Sequence, residues 1–432
     1  RSTTAARSRW AVPATLLLFL VTQYGYAWRV PFINDDFAFL DQTRAMGFGR
    51  LWAWHGDWVG RYYRPWSREL HYWVLQHLFG THVAPFHLVN FGLWLATMLL
   101  YFALVRRLAG PRAAAVATAG VAALAAWSLP VVWLAGAQEL WMLLLALAAL
   151  LLYARRADAA ATIAFALALL SKETALLLPL VAFAMLTAVA GEKPRRALRR
   201  LAPAIVLAAA CVLLHPQLGG RLWLHAPPAA PVPGPGAAGA LLGSLLATFN
   251  LHTLPRPEFG WLWPLLFGIA GALCLVVLVF AAWPAPGGHR APRTRADASS
   301  AELAVLAATW TTAGWLPLLA PGLGWHAHYA LFGMLGAWLL LGTLLARRRT
   351  AALAVVVALV LLRALAAATP SRDWGDESYL RRSAEFLHSM RLDLQARVPA
   401  PEPHSRLYFM GVPSMVGFLH GSAPALRVWY GD

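Results

Sequence analysis

Two adjacent aspartates, Asp35 and Asp36, stand in the segment PFINDDFAFLDQ, directly after the first long apolar run of the chain. Burial against apolar surface raises a carboxyl pKa, and a like charge next to it raises one of the pair further. Such a pair is tuned towards general-base work near neutral pH. The bland reading is a helix start, because Asn-Asp-Asp also caps a helix well. A second charged couple, Lys172-Glu173, lies in LALLSKETALLLP, deep in apolar sequence. Charges placed there are costly and usually functional. A lysine at that depth can hold a lipid phosphate, or the two can pair with each other and snorkel to the surface. Weaker candidates are Glu139, Arg363, His87 and Asn90, each of which also reads as a helix-packing contact. His326 and His328 sit at i, i+2, a poor spacing for joint metal ligation on a helix, and suit phosphate or substrate hydrogen bonding better.

The elements that position these residues are membrane spans. Of 432 residues, 59% are hydrophobic and only 13% charged, well under the charge of an ordinary soluble domain. Apolar runs of about 20 residues recur along the chain. They predict an all-α polytopic membrane protein with about eleven transmembrane helices, near 10–28, 84–105, 113–130, 138–154, 157–171, 174–190, 201–217, 261–283, 302–320, 327–346 and 351–369. Residues 1–370 form the membrane domain and 371–432 a small α+β segment outside it. The net charge of +17 does not indicate nucleic acid, because the basic residues cluster in short loops between spans. Arg106, Arg107 and Arg112, then Arg155 and Arg156, then Lys193 to Arg200, then Arg290 to Arg295 and Arg347 to Arg349 all fall on one face if the N-terminus is cytoplasmic and the C-terminus outside, as expected in a bacterial inner membrane.

That topology demands that residues 157–190 form a hairpin of two short helices rather than one long one. Each arm then rises only about 21–25 Å, and its turn carries Ser171, Lys172 and Glu173 near the outer face. The outer loop 29–83 is rich in aromatic residues. Its segments FGRLWAWHGDW and WSRELHYWVLQHLFG read as amphipathic helices lying in the interface. In the tail, DESYLRRSAEFLHSMRLDL reads as an amphipathic helix, and RLYFMGVP and ALRVWYGD as short strands. Cys211 and Cys274 both lie in apolar runs and read as core residues. No phosphate-binding GxxxxGK[ST] loop, GxSxG or HExxH is present.

With these residues in place, the chain resembles the C-fold (GT-C) membrane glycosyltransferases, and within them the protein O-mannosyltransferases and their tetratricopeptide-bearing transmembrane relatives. The resemblance rests on Asp35-Asp36, on YYRPWSRELHYWVLQHLFGTHVAPFHLVNFGLWLA, on LALLSKETALLLP and on HYALFGMLG with Tyr329. It implies transfer of a sugar, mannose or a similar hexose or pentose, from a polyprenyl-phosphate carrier to a hydroxyl acceptor on the outer face. By the resemblance Asp35 is the catalytic base, and Asp36 binds the acceptor or orients the base. Lys172, Arg64 and His328 bind the carrier phosphate, with Glu173, His87 and Tyr329 completing the substrate site. The acceptor stays open between protein, lipid and glycan. Relatives often carry His-Pro where this chain has Leu129-Pro130, Gly-Arg where it has Gly136-Ala137, and Arg where it has His328. No cofactor is expected, although Asp35 and Asp36 with Asp57 or Glu69 offer donors for a divalent metal. The rival reading is a carrier or channel for a lipid-linked sugar, without transfer chemistry.

Overall fold

The computed structural model describes residues 3–53, 62–215, 218, 236–252, 268–269, 271–273, 275–276, 279, 299–319, 325–369, 375–402, 407–409 and 424–431. Those residues are all-helical, with no strand among them. The helices are α1 (Thr3–Tyr24), α2 (Asp35–Arg44), α3 (His71–Phe79), α4 (Val83–Ala122), α5 (Ser128–Val132), α6 (Ala137–Ala154), α7 (Asp158–Leu169), α8 (Leu178–Ala184), α9 (Pro194–Leu214), α10 (Gly236–Ala247), α11 (Ser300–Trp315), α12 (Leu331–Leu345), α13 (Arg349–Ala368), α14 (Glu377–Arg397) and α15 (Pro424–Tyr430).

Five helical stretches among the described residues are long and apolar enough to cross a membrane: Val83–Ala122, Leu134–Ala154, Pro194–Leu214, Ala327–Leu345 and Arg349–Ala368. Three shorter apolar ones, Asp158–Leu169, Glu173–Val189 and Gly236–Ala247, accompany them. The chain is an integral membrane protein, but the described helices do not reach the expected count of eleven spans. The expected span over 261–283 and the basic cluster Arg290 to Arg295 lie largely or wholly outside the described residues, as do Cys274 and Asp57. Two expected spans, 84–105 and 113–130, fall in α4, which is two helices broken at Gly110 (φ 85°) ahead of Pro111, the second ending at Ala122. Glycine reaches that φ without steric cost, and the proline removes a helix donor.

The centre of the bundle is α4, α6, α11 and α12. Small residues let these helices approach closely, as in membrane bundles generally. A Cβ added at Gly314 would lie 2.3 Å from the backbone nitrogen of Gly333. The capping box Ser299/Glu302 starts α11, with Glu302 N–H donating to Ser299 Oγ at 3.2 Å.

The hairpin over 157–190 is present. α7 ends at Leu169, the chain turns through Ser171 and Lys172, and a 3₁₀ turn at Glu173–Leu177 leads into α8. Its two feet meet: Arg200 Nη2 donates to Asp158 Oδ1 at 2.6 Å and to the Tyr153 carbonyl at 2.8 Å, while its Nη1 donates to Glu192 Oε1 at 2.6 Å. Arg107 Nη2 donates to the Ala154 carbonyl at 2.9 Å. Three of the basic clusters thus converge at the end of the bundle opposite the hairpin turn.

Three expectations need correction. FGRLWAWHGDW forms only a 3₁₀ turn, Phe48–Trp52, over its described part. WSRELHYWVLQHLFG is helical but not one regular helix: a π-turn over Pro65–Leu70 precedes α3, Ser67, Arg68, Glu69, His71 and Tyr72 are buried, and Leu78 and Phe79 are exposed. ALRVWYGD is not a strand. Its Ala425 and Trp429 lie four residues apart and bury one face of α15 against α2. Of RLYFMGVP, only residues 407–409 are described, and they are not in a strand. The amphipathic helix of the tail is present as α14.

Candidate active site

A cleft with about 1030 Å³ of empty space, its open mouth included, lies where α2, the chain before α3, the α5–α6 connection, the hairpin turn and the start of α12 meet. Its wall holds Asp35, Arg64, Arg68, Glu139, Lys172, Glu173, His328 and Tyr329. Segments separated by up to almost 300 residues therefore supply one set of charged and polar groups.

Asp35 and Asp36 occupy the first helical positions of α2, where carboxylates are favoured by the helix dipole. Asn34 precedes them with φ 49°, a conformation that asparagine tolerates better than most residues. The two aspartates do not share an environment. Asp35 lines the cleft, whereas Asp36 is fully buried behind it. Three donors converge on the Asp36 carboxylate: Ile33 N–H at 2.9 Å, Tyr72 O–H at 2.7 Å and Ala135 N–H at 2.8 Å. Burial is the largest influence and pushes the Asp36 carboxyl up to about 7, against the pull of these donors. Asp36 does not line the cleft, and its hydrogen bonds tie α2 to α3 and to the α5–α6 connection.

The Lys172-Glu173 couple does not pair with itself. Lys172 Nζ donates to Glu139 Oε2, and both side chains are buried. The ammonium also stands 4.6 Å from the centre of the Tyr329 ring. Glu173 is instead gripped by Arg64, whose Nε donates to Oε2 at 2.9 Å, with a second bond from Nη2 to Oε1. Arg64 Nη1 donates to Gln138 Oε1 at 2.8 Å, and the guanidinium lies 4.4 Å over the Tyr62 ring. Arg64 presents five N–H donors and Lys172 three. Each keeps two beyond these contacts among the described residues. His328 is buried with its ring 4.1 Å from that of Tyr329.

The chain before α3 is strapped to the hairpin turn by one backbone and one side-chain hydrogen bond. Trp66 N–H donates to the Leu170 carbonyl at 3.2 Å and Ser67 Oγ to the Ser171 carbonyl at 2.7 Å. These bonds hold Arg64 and Lys172 on neighbouring walls. Gly136 is forced by packing, since a Cβ there would lie 2.5 Å from Pro130 Cα.

His87 is not part of the cleft. It is buried beneath it, with Nε2 against the Val30 carbonyl at 2.9 Å, and it fixes the chain leaving α1. Asn90 contacts the Pro130 and Leu134 carbonyls at 3.5 and 3.4 Å and holds the α5–α6 connection. Arg363 neither snorkels nor faces the cleft: it is buried against Gln23, Tyr24 and Glu377. Glu69 pairs with Arg68 behind the wall. Among the described residues no group of three or more His, Cys, Asp or Glu side chains could hold a metal ion.

Residues not singled out from sequence are Tyr62, Arg68, Gln138, Trp133 and Thr174, all of which line the cleft. Gln138 was detectable in principle, as a polar neighbour of Glu139 in an apolar helix. Of the positions where the chain departs from the resembled pattern, Leu129 and His328 line the cleft, while Ala137 is buried and does not.

No protein-family model matches the chain, and no curated protein matches it. Among solved structures, the crystal structure of ArnT from Cupriavidus metallidurans bound to undecaprenyl phosphate is similar with a TM-score of 0.46 and 16% identity, over 100% of this chain and 85% of that one.

Proposed function

We propose that the protein is a membrane glycosyltransferase that moves a sugar from a polyprenyl-phosphate carrier to a hydroxyl acceptor. The observation that carries this reading is the shared cleft: one carboxylate, Asp35, faces the same space as the spare N–H donors of Arg64 and Lys172. In this reaction the acceptor oxygen attacks the anomeric carbon while Asp35 takes its proton. The bond between that carbon and the phosphate oxygen breaks, and the oxygen keeps the electron pair. Fixed cations that hold the phosphate lower the barrier, because charge grows on it as the bond breaks. Attack from the side opposite the phosphate inverts the anomeric centre. Mannose or another hexose or pentose as the sugar, and protein, lipid or glycan as the acceptor, are all compatible with a cleft of this size.

The test is Asp35→Asn in the full chain, assayed in membranes with radiolabelled polyprenyl-phosphate sugar. The amide cannot take the proton, so transfer should fall by about 10²-fold or more. Lys172→Met should weaken donor binding. Asp35→Asn that transfers at the wild-type rate would overturn the reading.

A further inference from the structure

The described part of the cleft wall is unusual for a phosphate site in that its charges cancel. Among the described residues it carries three cations, Arg64, Arg68 and Lys172, and three carboxylates, Asp35, Glu139 and Glu173. Arg68 is matched again from behind by Glu69. Stability alone gives no reason for this arrangement, because a buried ion pair is often no more stable than a well-packed apolar replacement. From the charge balance we infer that the cleft discriminates between a singly charged phosphodiester and a more highly charged phosphate monoester, and that Glu139 is the residue that sets this preference. The inference rests on the glycosyl-transfer reading and deepens it.

The charges follow from the bonds. A polyprenyl-phosphate sugar is a phosphodiester with one negative charge. Transfer breaks the sugar–oxygen bond and leaves a phosphate monoester, which carries about −1.5 to −2 near neutral pH. During the transfer itself the total charge in the cleft is conserved, since the acceptor proton passes to Asp35 as the phosphate gains its charge. When Asp35 then returns that proton to water, the cleft holds an extra negative charge. Lys172 is already matched by Glu139, so that charge is repelled and the spent carrier leaves. Glu139 sets the preference more strongly than Glu173 because it is less exposed. The side chains of Lys172 and Glu139 are 7% and 3% exposed, against 14% and 17% for Arg64 and Glu173. Charges further from water interact more strongly. Glu139 sits in the first turn of α6, whose start is held by Asn90 and by the Asp36 bond to Ala135.

The experiment compares two probes that differ in charge, polyprenyl phosphate and its methyl diester, binding to the full chain in lipid nanodiscs. Wild-type protein should hold the diester about ten-fold more tightly than the monoester. Glu139→Asp keeps the charge and should keep the preference. Glu139→Gln should abolish or reverse it, and in turnover should lower KM for the donor and kcat together, since the spent carrier is retained. Equal affinity of the wild type for both probes, or an unchanged preference in Glu139→Gln, overturns the inference. If Glu139→Gln does not fold, the wild-type and Glu139→Asp preferences still decide it. Failure of the wild type to bind either probe overturns the glycosyl-transfer reading itself, a distinguishable outcome.

Discussion

Successive residues on a helix point about 100° apart, which is why Asp35 and Asp36 can neighbour each other in sequence and still do different work. Asp35 meets the cleft, while Asp36 accepts three hydrogen bonds in the interior. Replacing Asp36 by Asn turns one acceptor oxygen into a donor that must face Ile33 N–H, or else Tyr72 and Ala135. A buried donor left without an acceptor costs about 1–3 kcal/mol. Asp36→Asn should therefore lower thermal stability and, by loosening α2, reduce transfer without abolishing it. The pH dependence has a definite sign. The folded protein holds the Asp36 proton up to about 7, against an ordinary aspartate value of about 3.9. A raised value means that this group's contribution to stability is fully present below about pH 4 and is lost as pH rises through about 7. Thermal melts between pH 4 and 8 should show that slope in the wild type and lack it in Asp36→Asn; identical slopes would count against the assignment.

At the scale of elements, the hairpin was legible because charge clusters flank it. Arg155/Arg156 and Lys193 to Arg200 can share a face only if the chain turns at Ser171–Glu173, and Arg200 does join Asp158 to Glu192. What could not be read was which side chains meet. Lys172 finds Glu139, and Glu173 finds Arg64, at sequence separations of 33 and 109. No periodicity encodes a pairing of that kind. Leu426, Arg427, Val428, Trp429 and Tyr430 suggested a strand through β-branched and aromatic composition, but docking on α2 won over local propensity. The α5–α6 connection was read only as a place where the chain departs from a pattern. Its meaning emerges from Gly136, which must approach Pro130 closely. Gly136→Ala should push the connection away, stretch the Ala135 bond to Asp36 and cost about 1–3 kcal/mol through overpacking. Melting temperature and transfer rate should fall together. A wild-type melt with lost activity would show instead that Gly136 acts on substrate.

For the whole molecule, the question is what holds the chain outside the spans to the bundle. One buried polar cluster joins four elements. Glu377 at the start of α14 accepts from Arg363 of α13 at 3.3 Å, from Ser128 of α5 at 3.0 Å and from Arg381 at 2.6 Å. Arg363 also donates to Gln23 at 2.7 Å and to Tyr24 at 3.1 Å, at the end of α1. Burial pushes the Glu377 carboxyl up, but the Arg363 and Arg381 guanidiniums outweigh it and hold it below the usual range. At the far end of the tail, α15 reaches α2 through the Arg427–Asp41 ion pair and the edge-on contact of Trp429 with Phe37 at 5.6 Å. The tail therefore bridges α13 to the helix that carries Asp35. Glu377→Ala removes the one carboxylate that both arginines share. It leaves Arg363 as a buried charge with its anion gone, at a cost of about 3–5 kcal/mol. The double variant Glu377→Ala with Arg363→Met removes both charges together and should recover much of that loss. Thermal melts of the two variants in detergent check this: a double variant no more stable than the single one would mean that the cluster acts through packing and not through charge.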